Sequence, residues 1–145
     1  MTPPSAASKP CAFCEVVAQR SPAFEVLRSD DFVAFLDIRP LFAGHTLLVP
    51  TRHVVTYDAL PLELASAWVD LSQRLQRAVE RATASEGSLM IINNIVSQSV
   101  PHLHLHVIPR SKGDGLRFWL GPRHPYASDA DAERMAASIR AELAR

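Results

Sequence analysis

One segment constrains this chain more than any other: Pro101-His-Leu-His-Leu-His-Val-Ile-Pro109. Side chains on an extended strand point to opposite faces in turn. Over His102 to Ile108 this alternation puts Leu103, Leu105 and Val107 on one face and His102, His104 and His106 on the other. The apolar face belongs in a core. Successive histidines lie about 6.6 Å apart along such a strand, and imidazoles need polar partners, because burying an unpaired polar group costs free energy. Pro101 and Pro109 bracket the run and lack an N–H, which predicts a position at or near a sheet edge or a strand end. Two chemistries suit the histidine face. It could hold a transition metal. Alternatively, one imidazole could act as a nucleophile while its neighbours fix its tautomer and carry protons. The loop ahead, Asn93-Asn-Ile-Val-Ser-Gln-Ser99, is rich in groups that can line an anion site.

The rest of the chain predicts a frame for that segment. Residues 13–18 read as a helical turn after Cys11 and Cys14. Short apolar runs at 24–27 and 32–36 flank the turn-forming Arg28-Ser-Asp-Asp31, a hairpin. Ala43-Gly44 makes a turn into a third strand over 45–49, stopped by Pro50. After Pro61, the residues Leu64, Trp68, Leu71, Leu75, Val79 and Ala82 recur at helical spacing, which predicts a long amphipathic helix ending near Gly87. Residues 89–92 read as a fourth, buried strand. Ser128 and Asp131 read as an N-cap pair for a closing helix marked by Ala132, Met135, Ile139 and Leu143. Strands on both sides of one long helix predict an α+β fold with a largely antiparallel five-stranded sheet.

At 145 residues the expectation is one domain over 11–145, behind a disordered leader over 1–10 built from Pro, Ser and Ala. The leader lacks the apolar core of a secretory signal, and no run is long enough to span a bilayer, so the expected location is cytoplasmic, away from membranes. Fifteen basic residues balance fifteen acidic ones without a basic cluster, which argues against a nucleic-acid partner and leaves a small phosphorylated ligand open. The two cysteines, three residues apart, suggest half of a metal site or a redox pair.

The histidine run resembles the pattern of the histidine triad (HIT) family of nucleotide hydrolases and transferases, His-φ-His-φ-His-φ-φ with φ apolar. Gln98-Ser-Val100, Phe35-Leu-Asp-Ile38, Gly44-His45-Thr-Leu-Leu-Val-Pro50 with His53, and Cys11-Ala-Phe-Cys14 extend the resemblance in the same order over residues 11–110. It implies a homodimer acting at the α-phosphorus of a purine nucleotide conjugate (a phosphoramidate, an adenylate or a dinucleoside polyphosphate), with no catalytic cofactor. His104 would form a nucleotidyl-histidine intermediate, His106 would share proton traffic, His45 would complete the hydrogen-bonded set and Gln98 would touch the phosphate or leaving group. Phe13, Val16, Phe35 and Ile38 would form the base slot, Asp37 and Asn93 would hold ribose, and Ser97 and Ser99 would lie along the phosphate. Cys11, Cys14, His53 and His102 would hold a structural zinc. In one respect the chain departs from the pattern: Ser97 stands before Gln98 where the family usually has glycine. Two other functions compete, a metal-dependent hydrolase or oxygenase using the histidines as ligands, and a purine-nucleotide binding or regulatory protein with little turnover.

Overall fold

The computed structural model describes residues 9–117 and 122–145, so the expected leader lies outside the described residues except for Lys9 and Pro10. The chain forms two compact units, one ending at Asp114 and one running from Gly115 to Arg145. The first holds α1 (Ala12–Val17), β1 (Glu25–Arg28), β2 (Phe32–Leu36), β3 (Thr46–Pro50), α2 (Ala65–Thr83), β4 (Gly87–Ile91) and β5 (Leu105–Arg110). The strands pair antiparallel throughout, in the order β1-β2-β3-β5-β4. This is the α+β architecture expected, with five antiparallel strands and one long helix.

Alternation in the strands sorts the core into two layers. Phe32, Ala34, Leu48, Leu103, Leu105 and Val107 meet Leu64, Trp68, Leu71, Leu75 and Val79 of α2 and the turn before it. On the opposite face Val33, Phe35, Leu47 and Val49 pack with Phe13, Val16 and Val17 of α1. Each such side chain removed from water contributes about 1.5–3 kcal/mol. Both faces of β2 and β3 are therefore covered, which explains why they are buried along their length. The helix α2 starts after a 3-10 turn at Leu62–Leu64 and stops where Ala84 adopts a left-handed φ of 51°. Gly44 enters β3 with φ +96°, and a Cβ there would lie 2.5 Å from Cγ2 of Thr83, so only glycine fits between this turn and the end of α2.

Several expectations change. The strand of the histidine run lies second from the sheet edge, between β3 and β4, with Pro101 ahead of it and Pro109 near its end as expected, but its ladder begins only at Leu105. Ahead of it the backbone spends its donors elsewhere: His102 N–H on the Val100 carbonyl (2.8 Å) and Leu103 N–H on that of Val54 (2.7 Å). Pro109 is tolerated because it lies past the last β3–β5 partners, Thr46 and Val107. The strand expected to be buried, β4, is an edge strand and only half covered. In the second unit α3 spans Asp129–Leu143, and Ser128 Oγ accepts from Asp131 N–H at 3.1 Å as the expected cap. Met135, Ile139 and Leu143 are exposed. No helix among the described residues is long and apolar enough to cross a membrane.

Candidate functional site

On the α1 face of the sheet lies a cleft of about 480 Å³. One wall is apolar: Phe13 and Val16 from α1, Phe35 from β2, Leu47 from β3 and Ile38 from the loop between them. Phe13 meets Phe35 edge-on at 5.4 Å and His104 edge-on at 5.0 Å. The polar end carries His104, His106 and Ser99, with Asp37 also on the lining. His104 is almost wholly buried, and its ring centre lies 4.8 Å from that of His106. The cleft thus pairs a flat apolar slot with a group of imidazoles, a shape that suits a ring-bearing ligand with a polar head.

The backbone dictates where the protons sit. His104 Nδ1 faces the His102 carbonyl at 2.7 Å, and a carbonyl only accepts, so Nδ1 carries the hydrogen and Nε2 keeps its lone pair. His45 shows the reverse order: its Nδ1 accepts from the Leu41 N–H at 3.1 Å, which puts the hydrogen on Nε2. That Nε2–H donates to His106 Nδ1 at 2.9 Å. Neutral His106 then carries its own hydrogen on Nε2. Asp37 stands beside the pair, with Oδ2 at 3.6 Å from His45 Nε2, and its Oδ1 accepts from the Arg39 N–H at 2.9 Å. Burial pushes His106 down to about 4, helped by His104 and His45 and opposed by Asp37. His45 is lowered for the same first reason, with Asp37 again opposing. Both rings are neutral near pH 7, as this chain of donors requires.

A second cluster adjoins the first. His102, fully buried, gives its Nε2–H to the Pro50 carbonyl at 2.9 Å, so its Nδ1 is a bare lone pair. That nitrogen lies 3.4 Å from Cys11 Sγ, 3.5 Å from Cys14 Sγ and 3.3 Å from His53 Nδ1, and Cys14 Sγ is 3.2 Å from His53 Nδ1. All four donor atoms fall within 4.8 Å of one another. Ligands at ordinary zinc distances on a tetrahedron stand about 3.3 Å apart for two nitrogens and about 3.6 Å for nitrogen and sulfur. The Cys₂His₂ set therefore has the size and chemistry of a closed structural zinc site. Burial first, then Cys11, pushes the Cys14 thiol up to about 11, and ligation to a cation reverses that order.

The HIT domain family matches residues 18–113. The chain belongs to the histidine triad (HIT) family. An uncharacterized HIT-like protein of Mycobacterium tuberculosis is 35% identical over 138 residues, covering 94% of each chain. An adenylylsulfatase of Arabidopsis thaliana is 29% identical, over 92% of this chain and 69% of its own. An adenosine 5'-monophosphoramidase of Saccharomyces cerevisiae is 31% identical, over 80% and 73%. Among solved structures, a protein of Streptococcus mutans superimposes with a TM-score of 0.84 at 28% identity, covering 99% of this chain and 91% of that one. A zinc-bound histidine triad protein of Mycobacterium smegmatis does so with 0.69 at 33%, covering 94% and 98%.

The HIT motif residues divide as follows. Phe13, Val16, Phe35, Asp37, Ile38, Ser99, His104 and His106 line the cleft. His45 stands behind His106. Gln98 is turned away from the lining: its Nε2 donates to the Val55 carbonyl at 2.6 Å and its Oε1 accepts from the Ile95 N–H at 3.3 Å. Asn93 follows β4 off the lining, and its neighbour Asn94 receives the Tyr57 N–H at 2.9 Å. Ser97 is exposed with φ +60°, which accounts for the usual HIT glycine there, since glycine adopts that conformation without a Cβ penalty. Sequence reasoning missed Arg39, Leu47 and Val100 on the lining. Leu47 was within reach, because it shares a face with Phe35, its partner in the β2–β3 register. Arg39 and Val100 carry no periodic signal.

Proposed function

We propose that this protein is a nucleotide hydrolase or transferase acting at the α-phosphorus of a purine nucleotide conjugate, with His104 as nucleophile. One observation carries the reading. The His102 carbonyl holds the His104 proton on Nδ1, which leaves the Nε2 lone pair for attack at the cleft. In the first step Nε2 bonds to phosphorus and the bond to the leaving group breaks. His106, whose Nε2–H is kept in place by the donor His45 behind it, donates a hydrogen bond to the leaving group, which takes its proton from solvent. Water then attacks the nucleotidyl-histidine, loses its proton to solvent, and releases the nucleoside monophosphate, which leaves His104 with its Nε2 lone pair restored. The base lies between Phe13, Val16, Phe35 and Ile38, Asp37 faces the ribose, and Ser99 the phosphate. The named activities of the yeast and Arabidopsis relatives, on an adenosine phosphoramidate and an adenylyl sulfate, support this substrate class.

Cys11, Cys14, His53 and His102 would hold a zinc ion that supplies cross-linking and no reactive position, since four protein ligands would close its coordination sphere. Asp37, His45 and His106 also lie close enough together to hold an ion, but a catalytic metal there conflicts with the proton order: the Leu41 N–H needs the Nδ1 lone pair of His45, so its Nε2 carries a hydrogen and has no pair to donate. Among the described residues no strand pairs the outer edge of β4, where Met90 is exposed, and this edge supports assembly as a two-fold homodimer.

The test is turnover of an adenosine phosphoramidate, adenylyl sulfate and a diadenosine polyphosphate by the wild type and His104→Ala, with acid-quenched trapping of an adenylated intermediate. Release of AMP by the wild type only, with label on His104, is expected. Equal release by the variant overturns the assignment. Tight AMP binding without any turnover would make the protein a binding module instead.

A further inference from the structure

The two clusters share one residue. The ring of His102 stands among Cys11, Cys14 and His53, while its carbonyl holds the proton of His104. The opposite wall of the cleft is tied to the same place. Helix α1 is only six residues long, with Cys11 as its N-cap, the Cys11 sulfur accepting the Cys14 N–H at 3.5 Å. A helix this short has no stability of its own. Its C-terminal end is held by Arg28, which donates to the Val17 carbonyl at 3.0 Å. Its N-terminal end carries Phe13, held by its packing on Phe35 and by the cysteine pair on either side of it. Phe13 in turn stands edge-on to His104 at 5.0 Å and to His102 at 6.0 Å.

We infer that the Cys₂His₂ cluster is a positioning device for the reaction: the ion it binds sets both the nucleophile, through the His102 carbonyl, and the base-facing wall, through α1. The cluster does not touch substrate. It acts through two lever arms of one or two residues each, from His102 to His104 and from Cys11 and Cys14 to Phe13. When ligation is lost, the His102 ring keeps its bond to the Pro50 carbonyl but loses its second anchor, and the N-terminal end of α1 keeps its weak thiol cap and the packing of Phe13 on Phe35. The His104 proton then loses its fixed acceptor and Phe13 its fixed place, while the sheet and α2, on the other face, stay packed. The consequence is a folded chain with an ill-set site, distinct from a merely unstable one.

The turnover arm of the test rests on the proposed reaction, and the other arms do not. The comparison is between zinc-loaded wild type, wild type stripped by a chelator, and His53→Ala, whose lost ring is exposed and off the cleft lining. The readouts are the ¹⁵N shifts of the His104 ring, AMP affinity by calorimetry, and kcat and KM, all at temperatures where circular dichroism reports a folded chain. In the stripped protein and in His53→Ala we expect the single Nδ1–H form of His104 to give way to a tautomer mixture. AMP should bind about fivefold more weakly or worse, and kcat should fall about 10–100-fold, as losses in metal-supporting contacts do. Zinc should restore the stripped wild type, and His53→Cys, which keeps four ligands, should recover most of both effects. If stripping unfolds the chain, His53→Ala still reports, because three donors and the Pro50 tether remain. A folded zinc-free protein with an unchanged His104 tautomer and unchanged AMP affinity overturns the inference. No turnover by the zinc-loaded wild type, together with the expected tautomer change, strikes the proposed reaction and leaves the coupling standing.

Discussion

The two histidine clusters on the α1 face are built from similar parts and differ in where their hydrogens go. In the pair His45–His106, a backbone N–H at Leu41 forces a hydrogen outward, onto the nitrogen that meets the next ring, so the contact is a donor facing an acceptor. In the set around His102 the Pro50 carbonyl draws the ring's hydrogen inward, so a lone pair is left to face two sulfurs and another nitrogen. One arrangement is complete as a hydrogen-bond relay. The other gathers electron pairs that a cation satisfies. Residue type alone does not decide between hydrogen bonding and metal binding; a single backbone group behind each ring does.

This contrast can be broken at either end. The largest effect is expected for His104→Ala, which should lower kcat by about four to six powers of ten with zinc content unchanged, measured by AMP release and elemental analysis. Cys14→Ala should do the opposite first: bound zinc should fall from about one per chain and the melting temperature drop by roughly 10 °C, as a loss near 3 kcal/mol does in a chain of this size. His45→Gln removes the imidazole donor that sets the His106 Nε2–H and should reduce kcat about 100-fold, as loss of one oriented donor does, again without loss of zinc. If zinc is lost with His45→Gln, or retained with Cys14→Ala, the division between the clusters is wrong. The smallest effect concerns pH. His106 in the folded chain is pushed down to about 4 from an ordinary 6.5, so the unfolded chain takes up this proton first as the pH falls. Its contribution is intact above pH 6.5 and is lost as pH falls through about 4, at most about 3 kcal/mol. Denaturant melts of wild type and His106→Gln at pH 7 and pH 4.5 should differ less at the acid pH.

Much of this was legible in the residues. The alternation at 102–107 placed the histidines opposite Leu103, Leu105 and Val107, and the spacing from Leu64 to Val79 marked the helix that covers those leucines. The cysteine spacing, read with the HIT resemblance, pointed to His53 and His102, residues 39 and 91 positions away in the contacts they make. What stayed hidden belongs mostly to the backbone. The carbonyls of Pro50, Val55 and His102 and the N–H of Leu41 direct the side chains of His102, Gln98, His104 and His45, and every residue type offers the same groups. The place of β5 between two strands was left open by Pro109, whose missing donor suits an edge or a strand end until one knows that β3 has already ended beside it. The HIT resemblance implies that Gln98 touches the phosphate or leaving group. In the structure its amide closes its own loop, where Ile95 and Ser97 both adopt left-handed φ.

The second cluster is lopsided in its exposure. His102 has no accessible surface, Cys11 and Cys14 are partly covered, and His53 lies on the outside. An ion seated there is gripped from within and gated from without. Swinging one surface imidazole aside opens a path to solvent, with no need to part the sheet from its helices. Metal exchange in this chain should therefore run on the timescale of side-chain and loop motion, orders of magnitude ahead of global unfolding.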